Sequence, residues 1–288
     1  MGQGFGPAPF PSRPFCIAPP LHLAALRVSY HELFMRLANK VSIVTGAGAG
    51  IGEGTAIRFA EEGSQLVLAD ISEGNLARVA ARVAELGADV VTVAGDISRE
   101  EDAKRISDAA IERFGGLDIL VNNAANFTTV SVEHATPQDW EKVLGVNVIG
   151  TALVAKHAIP HIRKRGKGSI VNVSSTSALM AQPDFATYNT SKGALLSMTI
   201  CMALDLAPSN IRVNSICPGC ILTSATEREW IRMGITKEEW IREMAPQHML
   251  NRVGDVREVA NAILFFASDE ASFITGAHLM VDGGRIAK

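Results

Sequence analysis

Residues 41–52 read VSIVTGAGAGIG, an apolar run followed by four alternating glycines. The β-branched residues of the run predict a buried strand, and the glycines predict a tight turn that opens a helix. The spacing is neither Gly-x-Gly-x-x-Gly nor a Walker A loop, because no lysine follows the glycines. It is Gly46-x-x-x-Gly50-x-Gly52, which still brings backbone N–H groups at a helix N-terminus close enough to bind a pyrophosphate.

The rest of the chain continues this alternation of short apolar runs and longer amphipathic stretches, which is typical of βαβ units and a parallel sheet. Helical spacing lies between the first six runs, for example at Ile51–Glu62, Leu76–Leu86 and Ala103–Phe114. Residues 35–288 are therefore predicted to form a single doubly wound α/β domain, with a seven-stranded parallel sheet and helices on both faces. The predicted strands are Val41–Thr45, Gln65–Asp70, Val90–Ala94, Leu117–Val121, Ser169–Val173, Ile211–Ile216 and His278–Val281.

Residues 1–34 differ in composition from the rest, since residues 2–20 are crowded with glycine and proline. These residues oppose both helix and strand, so we expect a disordered N-terminal extension. The segment is poor in acidic residues, which leaves mitochondrial import as an alternative to a cytoplasmic location. The four cysteines predict a reducing compartment, because they suggest no disulfide framework.

The whole chain has a net charge of -3, with basic residues spread among the acidic ones. This pattern gives no electrostatic signal for nucleic acid or an anionic membrane as a partner. No apolar run reaches the length of a transmembrane helix. A small-molecule substrate is expected instead.

Asp70 ends the second predicted strand, 18 residues after Gly52. A carboxylate at this position accepts hydrogen bonds from both ribose hydroxyls of an adenosine and repels a 2′-phosphate. NAD(H) is therefore favoured over NADP(H). The same aspartate is also compatible with a purely structural role as a cap of the next helix.

Tyr188 and Lys192 stand four residues apart, on one face of a predicted helix. A phenol normally titrates near pH ~10, and a neighbouring ammonium stabilises its phenolate. The chain has two tyrosines, and Tyr30 lies in the N-terminal extension. Tyr188 is thus the one phenol of the predicted domain that can serve as a general acid or base.

Taken together, the motifs resemble those of the short-chain dehydrogenase/reductase family. The likeness covers residues 40–284 and implies a Rossmann-type fold, an oxidoreductase acting on CH–OH donors and a homotetramer. One departure is Ala125, where many relatives have glycine, and this is a mild change. The motifs that carry the likeness are the loop of residues 45–52, Asn122-Asn123-Ala124-Ala125, Asn147, Ser175, Tyr188, Lys192 and Pro218-Gly219.

The resemblance implies a role for each catalytic position. Ser175 polarises the substrate oxygen, with its neighbour Ser174 as second candidate, and Tyr188 transfers the proton. Lys192 binds the nicotinamide ribose and lowers the pKa of Tyr188, while Asn147 holds a water that links Lys192 to solvent. The cofactor contacts that the loop motif, Asp70 and the resemblance imply are Gly46, Gly50, Ile51, Gly52, Asp70, Ile71, Asp96, Ile97, Asn123, Ala124, Tyr188, Lys192, Pro218, Gly219, Ile221 and Thr223.

Residues 223–250 are rich in tryptophan, methionine and isoleucine and lie where this family places a substrate lid. They predict two short amphipathic helices. Uncharged alcohols or ketones are the expected substrates. Arg228 and Arg232 keep a substrate with a carboxylate or phosphate group as an alternative. The candidate substrate contacts are Ser177, Gln182, Phe185 and Trp230, with Asn126 and Phe127 as further candidates.

The leading hypothesis is an NAD-dependent dehydrogenase that interconverts a secondary alcohol and its ketone. A 3-oxoacyl thioester reductase is the alternative enzyme, and Asp70 argues against it because such relatives usually prefer NADPH. A non-catalytic NAD-binding scaffold is the alternative that is not an enzyme. Cys217-Pro218-Gly219-Cys220 has the spacing of a redox or zinc motif, but it coincides with the predicted cofactor loop, so no metal is expected.

Overall fold

In a computed structural model of the chain, which describes residue 1 and residues 35–288, the seven predicted strands form one parallel sheet. The strand order is β3-β2-β1-β4-β5-β6-β7, and all six pairings are parallel. The predicted fold class is confirmed, while the predicted N-terminal extension lies outside the described residues. The strands are β1 (Val41–Thr45), β2 (Gln65–Asp70), β3 (Val90–Ala94), β4 (Ile119–Asn122), β5 (Gly168–Val173), β6 (Ile211–Pro218) and β7 (His278–Val281).

Helices cover both faces of the sheet. One core joins the sheet to α1, α2 and α9, and the second joins its other face to α3, α5 and α6. Strand β1 is buried along its whole length, and Val44 faces the first core whereas Ile43 faces the second. The helices are α1 (Gly50–Glu61), α2 (Glu73–Glu85), α3 (Glu100–Phe114), α4 (Pro137–Leu144), α5 (Thr151–Lys164), α6 (Ala186–Leu206), α7 (Ser224–Met233), α8 (Lys237–Met244) and α9 (Val256–Ala267).

The helices begin earlier than the apolar periodicity predicted. Helix α2 starts at Glu73 and α3 at Glu100, three residues before the expected first residues in both cases. The added turns carry acidic side chains, which are favourable beside the positive end of the helix dipole but contribute nothing to an apolar pattern. Acidic residues, rather than hydrophobic spacing, thus indicate where these two helices begin.

Helices α4 and α5 form one continuous helix, Pro137–Lys164, interrupted by a π-helical turn at Gly145–Gly150. This helix is long and apolar enough to cross a membrane, as core helices of soluble proteins also are. Val154, Ala158 and Ile162 bury its inner face against the sheet. Its composition is explained by that packing.

The sheet reverses its winding direction between β1 and β4, the point at which doubly wound sheets leave a crevice beyond the carboxyl ends of their strands. Every strand from β1 to β6 delivers a predicted site residue to this edge. The fold therefore brings predicted site residues as distant in sequence as Gly46 and Thr223 together at one crevice.

Candidate active site

The glycine loop after β1 is built by close backbone approach. Gly46 and Gly50 have positive φ angles, 62° and 56°, which favour glycine. A Cβ atom on Gly46 would stand 2.8 Å from the Cα atom of Ala124, and one on Gly52 would stand 2.0 Å from the carbonyl oxygen of Gly46. Side chains are excluded there, so the loop packs tightly against α1 and the end of β4.

Gly46, Gly50 and Ile51 line the crevice at the N-terminal end of α1. The first N–H groups of a helix have no intrahelical acceptor and favour an anion. This loop therefore fits a pyrophosphate. Gly52 does not line the crevice, and its predicted cofactor contact is replaced by a packing role between α1 and Gly46.

Asp70 faces the same crevice from the end of β2. Its carboxylate accepts hydrogen bonds from the N–H groups of Gly48 and Ser72, at 2.9 Å each. The cap of α2 is Ser72, whose hydroxyl accepts from Asn75, so Asp70 does not cap that helix. The carboxylate is held in place by two backbone donors and remains open to the crevice.

Arg78 is a cation close to this loop, since it donates to the carbonyl oxygen of Gly48 at 2.9 Å. Both of its terminal nitrogens also bind the carboxylate of Glu53, at 2.7 Å. The pKa of Glu53 is lowered by this hydrogen-bonded pairing with Arg78. The guanidinium is thus already neutralised by an acid of the protein.

The crevice is one cavity of about 1040 Å³. It runs from Asp70 past the glycine loop to Tyr188 and on to helices α7 and α8. All predicted cofactor contacts except Gly52 line it. These are Gly46, Gly50, Ile51, Asp70, Ile71, Asp96, Ile97, Asn123, Ala124, Tyr188, Lys192, Pro218, Gly219, Ile221 and Thr223.

Tyr188 lies on the first turn of α6 and is buried beside two aromatic rings. Phe127 packs edge-on against it at a centroid distance of 4.7 Å, and Phe185 at 6.2 Å. Burial raises the pKa of Tyr188, and a hydrogen bond with the side chain of Ser175 opposes this effect. The phenol is therefore protonated at neutral pH and ready to donate a proton.

The two serines after β5 have different surroundings. The Ser174 hydroxyl donates to the carbonyl oxygen of Lys192 at 2.8 Å, so it supports helix α6. The Ser175 side chain interacts with the Tyr188 phenol and accepts from the N–H group of Ser177 at 3.1 Å. Of the two candidates, the geometry favours Ser175 as the group that contacts a substrate oxygen.

Lys192 lies one helical turn after Tyr188 and lines the cavity with only 2% of its surface exposed. Its Nζ donates to the carbonyl oxygen of Val173 at 2.8 Å and stands 5.5 Å from the Tyr188 ring centroid. Burial lowers the pKa of Lys192 to about 8. The expected lowering of the Tyr188 pKa by Lys192 is not what the structure shows, because desolvation dominates and raises it.

Asn147 lies in the π-helical turn between α4 and α5 and is fully buried. Its Nδ2 donates to the carbonyl oxygen of Asn126 at 3.0 Å and to the Ser191 hydroxyl at 2.9 Å. Ser191 in turn donates to the carbonyl oxygen of Tyr188 at 2.7 Å. The side chain of Asn147 thus ties the loop after β4 to the catalytic helix, and its proposed water-binding role stays a prediction.

Three of the four candidate substrate contacts line the cavity, namely Ser177, Gln182 and Phe185. The Ser177 hydroxyl donates to Oε1 of Gln182 at 2.8 Å, which leaves the amide nitrogen of Gln182 for other partners. Trp230 is not among the lining residues, because its ring packs on Trp240 at a centroid distance of 5.5 Å. Trp240 takes the lining position instead.

The predicted lid, residues 223–250, forms two short helices, α7 and α8. They line the cavity with polar and charged groups as well as apolar ones, so the lid is less apolar than its composition suggested. Sequence reasoning singled out Arg228 among them, and it missed several others. Trp240 and Met244, which belong to the apolar residues that predicted the lid, also line the cavity, and the lining residues that were missed are Glu229, Glu243, Gln247 and, from the C-terminal segment, Arg285.

Cys217 and Cys220 are both free thiols. Among the described residues no group of three or more metal-ligating side chains occurs. Burial raises the pKa of Cys220 to about 11 and also raises that of Cys217. Raised pKa values disfavour the thiolate that redox exchange and zinc binding need.

Known proteins resemble the chain over most of its length. A sequence model of the family described as enoyl-(acyl carrier protein) reductase matches residues 46–285. The human dehydrogenase/reductase SDR family member 4 is 39% identical over 249 residues, which cover 86% of this chain and 88% of that protein. The 3-oxoacyl-acyl-carrier-protein reductase FabG of Thermotoga maritima is 36% identical over 253 residues, covering 88% of this chain and 100% of that protein.

The fold is similar to solved structures as well. The crystal structure of carveol dehydrogenase from Mycobacterium avium in complex with NAD superimposes with a TM-score of 0.83. It is 30% identical in sequence and covers 88% of this chain and 99% of that one.

Proposed function

The chain belongs to the short-chain dehydrogenase/reductase family and is an oxidoreductase acting on CH–OH donors with a nicotinamide cofactor; within this class we propose an NAD(H)-dependent enzyme that interconverts a secondary alcohol and its ketone. The family membership confirms the resemblance seen in the sequence. The observation that carries the proposal is the placement of Ser175, Tyr188 and Lys192 in one cavity with the glycine loop and Asp70.

The choice of NAD(H) rests on Asp70. Its carboxylate is fixed by Gly48 and Ser72 and faces the cavity, where it would accept hydrogen bonds from both ribose hydroxyls. A 2′-phosphate in the same place would meet this negative charge, and Arg78 is paired with Glu53. NAD in the crystal structure of the carveol dehydrogenase supports the same choice.

Each catalytic residue of the chain has one task in the proposed reaction. When bound, the nicotinamide supplies or accepts the hydride, and the glycine loop, Asp70 and Lys192 would hold the cofactor. Ser175 donates a hydrogen bond to the substrate oxygen. In reduction Tyr188 donates its proton to that oxygen as negative charge develops, and in oxidation it accepts the proton from the alcohol.

The aromatic rings around Tyr188 influence how the rates of reduction and oxidation depend on pH. Phe127 and Phe185 exclude water from the phenol, which keeps the pKa of Tyr188 raised. A protonated phenol is the form needed for reduction, whereas oxidation requires the phenolate. The rate of reduction is therefore expected to be high at neutral pH, and the rate of oxidation is expected to increase as the pH rises.

A 3-oxoacyl thioester reductase is the second candidate, because the matching family model and the Thermotoga relative both carry the acyl carrier protein in their names. The experiment is oxidation of NADH and NADPH on a panel of simple ketones and one 3-oxoacyl thioester. The proposal expects NADH-dependent reduction of simple ketones. NADPH-dependent turnover of the thioester alone would replace it with the second candidate, and NADH binding without any turnover would indicate a scaffold.

Asp70 gives the first prediction. In the Asp70→Asn variant the ratio of kcat/KM with NADH to kcat/KM with NADPH is expected to fall by about 10- to 100-fold, the equivalent of one lost charged hydrogen bond. Steady-state kinetics with both cofactors measures this ratio. The matched control is Asp89→Asn, which alters an exposed ion pair with Arg113. An unchanged ratio in Asp70→Asn would remove Asp70 from cofactor selection.

We also propose that the chain assembles into a homotetramer, which its exposed apolar side chains support. Ile149, Ile200 and Leu204 are exposed on the long helices after β4 and β5, and Leu204 has 78% of its surface exposed. Leu279 is exposed on the edge strand β7, and Phe273 is exposed in the segment before it. Large exposed apolar groups on two surfaces are typical of interfaces between subunits.

The tetramer gives the second prediction. Light scattering coupled to size exclusion is expected to give a tetramer for the wild type and a smaller species for Ile200→Asp with Leu204→Asp, because two charges would be buried. The control is Leu86→Asp at the end of α2, which is exposed on a different surface. A monomeric wild type, or a double variant that remains tetrameric, would contradict this assembly.

A further inference from the structure

Arg285, three residues from the end of the chain, lines the cavity beside the cofactor loop that follows β6. Its Nη1 donates to Sγ of Cys220 at 2.8 Å and its Nη2 to Oε1 of Gln247 at 2.7 Å. Both partners are neutral, since burial raises the pKa of the Cys220 thiol to about 11. No carboxylate of residues 35–288 lies within 4.0 Å of its guanidinium.

A tight turn after β7 fixes this arginine. The Asp282 carboxylate accepts from the N–H groups of Gly284 and Ile286, on either side of Arg285. Gly283 and Gly284 both have positive φ angles, and a Cβ on Gly284 would stand 2.9 Å from Sδ of Met249. The turn is therefore adapted to bring the C-terminal segment against the lid, with Arg285 directed at the cavity.

Two buried donors on this wall lack acceptors. Nε of Arg285 and Nε1 of Trp240 are both inaccessible to solvent and have no hydrogen-bond partner among the described residues. Trp240 has only 1% of its surface exposed and also lines the cavity. Atoms that solvent cannot reach are closed to a ligand oxygen as well, so a ligand binds Arg285 through the N–H groups of Nη1 and Nη2 that do not bond Cys220 or Gln247.

The acidic residues of the same wall do not neutralise Arg285 directly. Glu229 interacts electrostatically with Arg232 and Arg285 but forms no ion pair with either residue. Burial raises the pKa of Glu229. Glu243 also lines the cavity but is exposed to solvent. The Arg285 guanidinium thus remains a positive charge without an ion-pair partner on this wall.

We propose that Arg285 binds the carboxylate of the substrate, so that the enzyme acts on hydroxy acids and keto acids whose carbinol or keto carbon lies at Tyr188. A planar guanidinium binds a carboxylate through two parallel hydrogen bonds, which neutral esters and amides cannot reproduce. This inference rests on the proposed function, because it identifies the substrate class of the same site.

The test compares ketones that differ only in charge. The probes are 4-oxopentanoate and 5-oxohexanoate with their methyl esters, reduced by NADH. The wild type is expected to prefer the acid over its ester by at least about 10-fold in kcat/KM for one of the two chain lengths. In Arg285→Met this preference is expected to disappear through a raised KM for the acid, with kcat/KM for the ester within about threefold of the wild type.

Two further variants separate recognition from folding. Trp240→Phe keeps the packing on Trp230 and removes an N–H donor that solvent cannot reach, so it is expected to leave the preference for the acid unchanged. Arg232→Met is the control, since Arg232 is exposed on α7 and does not line the cavity. Equal wild-type rates on acid and ester at both lengths, or an equal loss on both in Arg285→Met, would overturn the inference.

Calorimetric titration of 5-oxohexanoate into the enzyme with NAD(H) distinguishes a failure of the carboxylate site from a failure of the proposed function. Binding that is lost in Arg285→Met but is accompanied by no turnover would support the carboxylate site and contradict the ketone reductase. Turnover of esters without any binding of the acid would contradict the carboxylate site and support the reductase.

Discussion

Tyr188→Phe is expected to lower kcat for ketone reduction by about 10²- to 10⁴-fold, the usual contribution of a positioned general acid. The substitution removes one hydroxyl and keeps the ring that packs on Phe127 and Phe185. NADH binding is expected to stay within about threefold of the wild type, because the loss is confined to the proton transfer. Stopped-flow kinetics and fluorescence titration with NADH measure the two quantities.

The pH profile tests the same residue in the wild type. Burial raises the pKa of Tyr188, so the phenol stays protonated through neutral pH. Reduction is therefore expected to be flat near neutral pH and to decline only under alkaline conditions, while alcohol oxidation rises with pH. A Tyr188→Phe variant that retains wild-type kcat, or an oxidation rate that falls as pH rises, would remove Tyr188 from proton transfer.

Lys192→Met is expected to reduce kcat/KM sharply and to stabilise the free protein. Burying the ammonium lowers the pKa of Lys192 from 10.5 to about 8, which corresponds to about 3 kcal/mol of destabilisation when the group is charged in both states. Methionine fills a similar volume without a charge. Loss of the proposed ribose-binding group is expected to reduce kcat/KM by at least about 10²-fold.

The effect on stability has a defined pH dependence. Below pH ~8 both the folded and the unfolded wild type carry the proton, so the full destabilisation is present. Between pH ~8 and ~10.5 the unfolded state binds more protons, so wild-type stability rises with pH and the advantage of Lys192→Met shrinks. Urea unfolding across this range measures it.

The matched control is Lys104→Met, because Lys104 is an exposed lysine that pairs with Asp108. Its free energy of unfolding is expected to change by less than about 0.5 kcal/mol at any pH. A Lys192→Met variant whose advantage does not depend on pH, or one that retains turnover, would contradict the account of Lys192.

The sequence was most informative where a single local rule dictates both structure and chemistry. Burial on both faces of the sheet requires the β-branched run of residues 41–45, and close backbone approach requires the glycines after it. Both features are found as predicted. Asp70 was placed at the crevice by counting from Gly52, because parallel strands end at one edge. In these cases chain position alone determines spatial position.

Residues whose role depends on packing between distant segments could not be predicted in this way. Trp230 and Trp240 have the same local pattern, and only the docking of α7 and α8 makes Trp240 the lining residue. Arg285 follows the last strand with no motif of its own, and the turn at Asp282 brings it to the cavity. The pKa of Tyr188 depends on burial beside Phe127, which spacing along α6 does not reveal.

The central claim is that this cavity transfers a hydride to a carbonyl carbon while Tyr188 supplies the proton. The most direct measurement incubates the enzyme with a panel of neutral and carboxylate-bearing ketones and NADH that carries deuterium at C4 on the transferred face, tested for each face. Mass spectrometry is expected to find deuterium at the carbinol carbon with the wild type and at least about 100-fold less with Tyr188→Phe. Deuterium that stays in the cofactor across the whole panel, although NADH binds, would contradict the claim.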